Sequence, residues 1–154
     1  MEPSRIGRLN LAGLLHDCGK IALDPQVLDK PSLLTHDERL YVQTHSICGA
    51  DLLHETSELH DLVPAVLHHH ERWDGKGYPM GLSGTETPLE ARIIAIADSF
   101  DAITSPRSYS ANLNFTQGFG ILLAERGAQF DPELVDAFAS CHPDAVQLSR
   151  LIEA

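Results

Sequence analysis

Three consecutive histidines that run into an acid and then a glycine-rich turn, HHHERWDGKGYP at residues 68–79, constrain this chain more than any other stretch. Histidine is only intermediate in its tendency to be buried, so a core does not call for such a run. Neutral imidazole is the commonest metal ligand among side chains, and first-row divalent ions take it readily. The stretch points to a metal site at a helix end, followed by a shaped loop that faces a ligand.

Around it, apolar residues recur at helical spacing and no segment alternates as a strand would. The pattern predicts a helix over 5–16 stopped by Gly19, then a connector broken by Pro25 and Pro31. Thr35 and Glu38 form a capping box for a helix over about 36–53. Further helices are expected over 59–71 and, led by Pro88, over 89–104. Asn114 and Gln117 open another that Gly127 stops. Phe130, Asp131, Pro132 and Val135 give a staple, a cap and a first-turn proline for the last one, and the tail after Pro143 adds a short helix. Gly75, Gly77, Gly81 and Gly84 mark residues 73–88 as loop. The expectation is a single all-α domain over 1–154.

On these helices His45 shares a face with Tyr41, Cys48 and Leu52, and His69 shares one with Leu62 and Val66. His70 lies a step round, whereas His68 points to solvent, as do His36, His54, His60 and His142. Asp98 falls on the apolar stripe of Ala91, Ile94 and Ala102, where an unpaired charge is expensive. The inward candidates are therefore His16, Asp17, His45, His69, His70 and Asp98. Imidazole and carboxylate without thiolate suit manganese, iron, nickel or zinc. Asp17 has two oxygens with which to bridge two ions. Such a pair polarises a phosphate and generates a hydroxide for in-line attack. Lys20, four residues after His16, is placed to reach a phosphoryl oxygen.

Plainer readings stand beside these. His45 taken alone is more often a satisfied core histidine, and Asp98 a cap for a neighbouring helix. Trp73 and Tyr78 either stack on a base or pack the loop against the body. Arg107 either meets substrate or pairs with one of the many acids.

Composition narrows the classes. A net charge of −11 makes a long nucleic-acid backbone an unsuitable partner, so DNA is not expected. A small anionic substrate is allowed, because bound metal supplies the positive charge. No apolar run reaches the length of a membrane span. Cys18, Cys48 and Cys141 form no CxxC pair, which suits a reducing compartment, and a cytoplasmic place is expected.

At these residues the chain resembles the HD superfamily, and within it the HD-GYP domains. LLHDCGK looks like the HDxGK signature at His16, Asp17, Gly19 and Lys20. HHERWDGKGYP matches HHExxDGxGYP at His69, His70, Glu71, Asp74, Gly75, Gly77, Tyr78 and Pro79. ARIIAIADSFDAITS is similar to the family helix carrying the last metal-binding aspartate, here Asp98, and FDPELVDAF looks like its closing helix. The resemblance implies a bundle of five to seven helices that binds two or three ions, often iron or manganese, and hydrolyses the bacterial messenger cyclic di-GMP to pGpG and GMP. By the same resemblance, His16, Asp17, His45, His69, His70 and Asp98 are ligands, with Asp17 and Lys20 catalytic. Lys20, Arg107, Gly77, Tyr78 and Pro79 would meet nucleotide or partner, and Glu71 and Asp101 would stand behind the ligands. Family members are output domains attached to receiver or sensor modules, and their loop contacts GGDEF-type proteins.

Two departures shape the expectation. The family carries a further helix before HDxGK that supplies a histidine, and in trinuclear members a glutamate. Here Glu2 is the only acid before His16, and no histidine precedes it. The site is therefore expected to be incomplete, or completed by water, a partner chain or preceding sequence. Residues 107–112, RSYSAN, replace RPY[RK]xA, so Ser108 stands for proline and Ser110 for a basic residue; a lost charge-assisted bond costs roughly 1.5–3 kcal/mol. A degenerate module that binds nucleotide or protein without hydrolysis is the alternative, and a hydrolase of another phosphoester the third.

Overall fold

The computed structural model describes residues 2–105 and 113–141, and within them the chain is helical with two isolated bridge pairs and no strand. Helices α1 (Pro3–Leu15), α2 (Pro25–Leu28), α3 (His36–Gln43), α4 (His45–His54), α5 (Val63–His68), α6 (Leu89–Thr104), α7 (Phe115–Ala124) and α8 (Pro132–Ser140) follow in order, joined by 3-10 turns at Cys18–Ala22, Ser57–Leu62 and Gly84–Glu86. All but the one-turn α2 belong to the expected bundle. The motif RSYSAN with Arg107, His142 and the tail after Pro143 lie outside the described residues.

Helix starts follow local chemistry. Thr35 with Glu38 and Asn114 with Gln117 make reciprocal capping boxes at α3 and α7, satisfying amides that a helix leaves free. The Asp131 carboxylate accepts from the amides of Glu133 and Leu134 to open α8. Helix α6 spans the expected 89–104.

Tertiary contacts overrule the pattern in three places. The helix expected over 36–53 breaks at Thr44, whose hydroxyl and amide both bond the Tyr41 carbonyl. The buried face of α4 becomes His45, Ser46, Gly49, Ala50 and Leu53, so His45 points inward while Tyr41 and Leu52 are exposed. The helix expected over 59–71 is a 3-10 turn followed by the short α5, and the chain turns at His69 and His70.

Gly19 does not stop α1, which ends at Leu15; it lies in the following 3-10 turn, buried against α4. A Cβ there would sit 1.9 Å from the His45 carbonyl oxygen and 2.4 Å from the Gly49 nitrogen. Only glycine allows two backbones to pass so closely.

Two apolar interiors result. Ala12, Leu53, Leu62, Ala65, Val66 and Ile94 form one among α1, α4, α5 and α6. Ile96, Phe119, Leu122, Phe130, Val135 and Ala139 form the other among α6, α7 and α8.

Candidate metal centre

His16, His45 and His69 are held by the same local device. Each ring donates its Nδ1 proton to the carbonyl three residues earlier: His16 to Gly13 at 2.6 Å, His45 to Val42 at 2.8 Å and His69 to Val66 at 2.6 Å. A carbonyl only accepts, so the proton sits on Nδ1 and Nε2 of each neutral ring is a bare lone pair. Second bonds of this kind orient metal-ligating histidines.

Those lone pairs converge. His45 Nε2 lies 3.3 Å from His69 Nε2 and 3.3 Å from Asp17 Oδ1. His16 Nε2 lies 3.3 Å from Asp17 Oδ2 and 3.6 Å from Asp98 Oδ1, is buried, and makes no hydrogen bond. One donor atom from each of Asp17, His45, His69 and His70 falls within 4.8 Å of all the others. Asp17 thus turns one oxygen to the His45 side and the other to the His16 and Asp98 side. Lone pairs and carboxylates facing one another repel, and a divalent cation between them removes the conflict. The donor set fits such an ion.

The electrostatics agree. Burial holds the His45 imidazole below its ordinary pKa. Burial likewise pulls His69 down to about 4 and, with His69 and His45 beside it, His70 down to about 3, so these rings offer lone pairs at neutral pH. Burial opposes charge on Asp17, but the His16 ring beside it and the hydrogen bond from Lys20 outweigh that and hold its carboxyl below the usual range. His16, through Asp17 and then Asp98, is pushed up to about 10, and the same pairing lowers Asp98. In the bare cluster a proton on His16 takes the place where positive charge is most favoured.

The glycine-rich loop covers this centre and is fastened to the turn that carries His70. A Cβ on Gly77 would lie 2.4–2.5 Å from backbone atoms of His70, Glu71 and Arg72. Tyr78 donates its amide to the His70 carbonyl at 3.3 Å and stacks its ring on His70 at 4.8 Å. Burial and the charges of Asp17 and Asp98 raise the Tyr78 phenol above its ordinary value, so it keeps its proton. Pro79 follows through a cis peptide and lines a groove with Ile47, Val63 and Leu67. Trp73 packs under the Arg92 guanidinium at 5.8 Å, which makes it a strut between loop and α6.

The remaining expected residues fall as follows. Lys20 Nζ donates to Asp17 Oδ2 at 2.5 Å from a half-exposed position at the mouth. Glu71 is buried and accepts the amides of Met80 and Leu82, so it grips the loop rather than a candidate ligand histidine. Asp101 is exposed and accepts the Ser105 hydroxyl at 2.7 Å. His68, expected in solvent, keeps only 14% of its side chain exposed, with Nδ1 3.5 Å from Glu71 Oε1. Gly49, against which Gly19 crosses, carried no signal in the sequence, because a helical glycine looks the same whether or not another backbone touches it.

Comparison with known proteins follows the same line. The family model described as HD domain matches residues 1–134. The chain is 46% identical over 131 residues to a cyclic di-GMP phosphodiesterase response regulator of Xanthomonas campestris pv. campestris, covering 84% of this chain and 35% of that protein. It is 38% identical over 138 residues to a 3'3'-cGAMP-specific phosphodiesterase of Vibrio cholerae, covering 88% of this chain and 26% of that protein. A crystal structure of a cyclic GMP-AMP specific phosphodiesterase of V. cholerae superposes with a TM-score of 0.66 at 22% identity, over 97% of this chain and 39% of that one. That likeness is one of fold. The chain spans about a third of the length of the curated relatives it matches.

Proposed function

The chain belongs to the HD domain family, and on that premise we propose that it is a metal-dependent phosphodiesterase that opens cyclic di-GMP to linear pGpG and then GMP. The observation that carries this is the convergence of bare Nε2 lone pairs and two carboxylates beneath the glycine-rich loop. Divalent ions, proposed as two, would be held by His16, Asp17, His45, His69, His70 and Asp98 and would supply charge on a phosphoryl oxygen and a lowered water pKa. Iron or manganese is the proposed identity, taken from the family resemblance and compatible with donors that include no thiolate.

The chain's own groups do the rest. Hydrolysis adds the oxygen of one water to phosphorus and breaks one P–O ester bond, the departing oxygen taking up a proton. Lys20 exchanges its bond to Asp17 for one to a phosphoryl oxygen, holding the diester in place. Tyr78 keeps the His70 ring in orientation by stacking on it, and Gly77, Tyr78 and Pro79 are assigned to the nucleotide side by the family motif. Arg107 is assigned to the nucleotide by the family motif alone.

The reading places the domain in the cytoplasm, supported by three free cysteines; no described helix is long and apolar enough to cross a membrane. It includes a GGDEF-type protein as partner at the loop, where Met80 is 68% exposed, and a receiver or sensor unit in a longer protein. The greater length of the relatives supports the latter.

The test is anaerobic turnover by the chain loaded separately with iron and manganese, offering cyclic di-GMP, 3'3'-cGAMP and pGpG in parallel. Product from cyclic di-GMP that Asp17→Asn abolishes is the expected result. Tight binding without product from a folded, metal-loaded chain turns the reading to a non-hydrolysing module. Product from 3'3'-cGAMP alone changes the substrate.

A further inference from the structure

We infer that Glu71, although it directly follows two of the proposed metal ligands, is a positioning residue for the loop that carries Tyr78 and Pro79, the proposed nucleotide side, and not for the metal. Its carboxylate is almost wholly buried, and burying a charge requires strong local compensation. The compensation comes from the loop: Oε1 accepts the Met80 amide at 2.8 Å and Oε2 the Leu82 amide at 3.0 Å. Charge-assisted bonds of this kind are about twice as strong as neutral ones. Between the two donors stands Gly81, at φ +68°, a left-handed conformation that turns both flanking amides toward one carboxylate.

The neighbouring residue holds the other end of the same arc. The His70 carbonyl accepts the Tyr78 amide, and Gly77 crosses directly over the backbone of residues 70–72. Tyr78 and Pro79 are therefore suspended between His70 and Glu71. The position of the Tyr78 ring over His70 is set from both sides. None of the candidate ligands contacts the Glu71 carboxylate; the nearest imidazole is His68, with Nδ1 at 3.5 Å from Oε1. Glu71 thus acts on substrate through the loop it holds, and the loop is a preformed wall.

The kinetic arm rests on the phosphodiesterase reading; the other two do not. Glu71→Gln keeps the volume but replaces one acceptor with a donor that faces an amide. In the metal-loaded chain the Met80 and Leu82 amides are expected to exchange about ten- to a hundredfold faster in this variant. Metal content is expected to stay at the parent value. KM for the cyclic dinucleotide is expected to rise about tenfold while kcat stays within about threefold. Gly81→Ala strains the same turn from the loop side without touching the carboxylate, and is expected to move exchange and KM in the same direction. It carries the test if Glu71→Gln does not fold. Unchanged exchange at Met80 and Leu82, or loss of bound metal, overturns the inference. A parent chain without turnover removes the function reading, while exchange and metal content still decide the role of Glu71.

Discussion

Ile94 and Ile96 stand two residues apart on α6 and belong to different interiors. Ile94 packs among small and aliphatic side chains, and that interior ends in polar groups: His45 and His69 are each 1% exposed. Ile96 packs with Phe119, Leu122 and Phe130, flanked by Phe100, Phe115 and Phe138. The buried charge on that side, Asp131, is met by Arg92 and by the amides that open α8. One half therefore satisfies its buried charge from within the chain. The other leaves lone pairs and carboxylates turned toward each other, a donor set that fits a cation.

Glycine substitutions break the comparison most sharply. In Gly19→Ala the new methyl meets backbone on α4, which cannot swing away, and a loss of more than about 3 kcal/mol in denaturant-unfolding free energy is expected. In Gly118→Ala the methyl meets the Thr104 Cγ2 at 2.7 Å, a side-chain atom, and the gain in helix propensity of about 1 kcal/mol offsets part of the strain. A loss there as large as that of Gly19→Ala would place the close contacts of the two halves on an equal footing.

Metal comes next. Manganese at a hundred times its Kd is expected to raise the unfolding free energy by about 2.7 kcal/mol, and His69→Ala is expected to remove that gain. In the chelated chain, amides of α4 and α5 are expected to exchange faster than those of α7 and α8. Equal protection in both would mean that the polar cluster is no burden without its ion.

A further effect follows from pH in the chelated chain. Folded His69 and His70 bind protons only near about 4 and about 3, while the unfolded chain binds them near 6.5. The unfolded state therefore holds more protons as pH falls from 6.5 toward 4, and stability is expected to drop across that window. His16, whose folded value is raised to about 10, acts in the opposite direction and only above 6.5. Urea midpoints across the window check the sign, and a midpoint that rises on acidification contradicts it. The smallest change is expected on the complete half, where Arg126→Ala removes an exposed pair with Asp136 and shifts stability by less than about 1 kcal/mol.

Much of this architecture is legible in the amino-acid order. Residues 89–104, the boxes at Thr35 and Asn114, and the cap at Asp131 are written in neighbouring residues, because a cap satisfies amides within its own turn. The inward turn of His45 and His69 is also readable, from helical spacing for His69 and for His45 from a face of which Tyr41 and Leu52 are exposed. What the spacing misses is the break at Thr44, which carries Tyr41 and Leu52 outward.

The sequence by itself determined the helical class, the helix starts and the residue types able to hold a divalent ion, since propensity, capping and donor chemistry are local properties. The tertiary structure alone decided that Gly19 is a crossing point and not a stop, that His68 is covered, and that the Glu71 carboxylate meets the loop amides. Each of those depends on which distant backbone arrives beside a residue. No pattern of neighbours along the chain encodes that arrival, because it is set by how the helices pack.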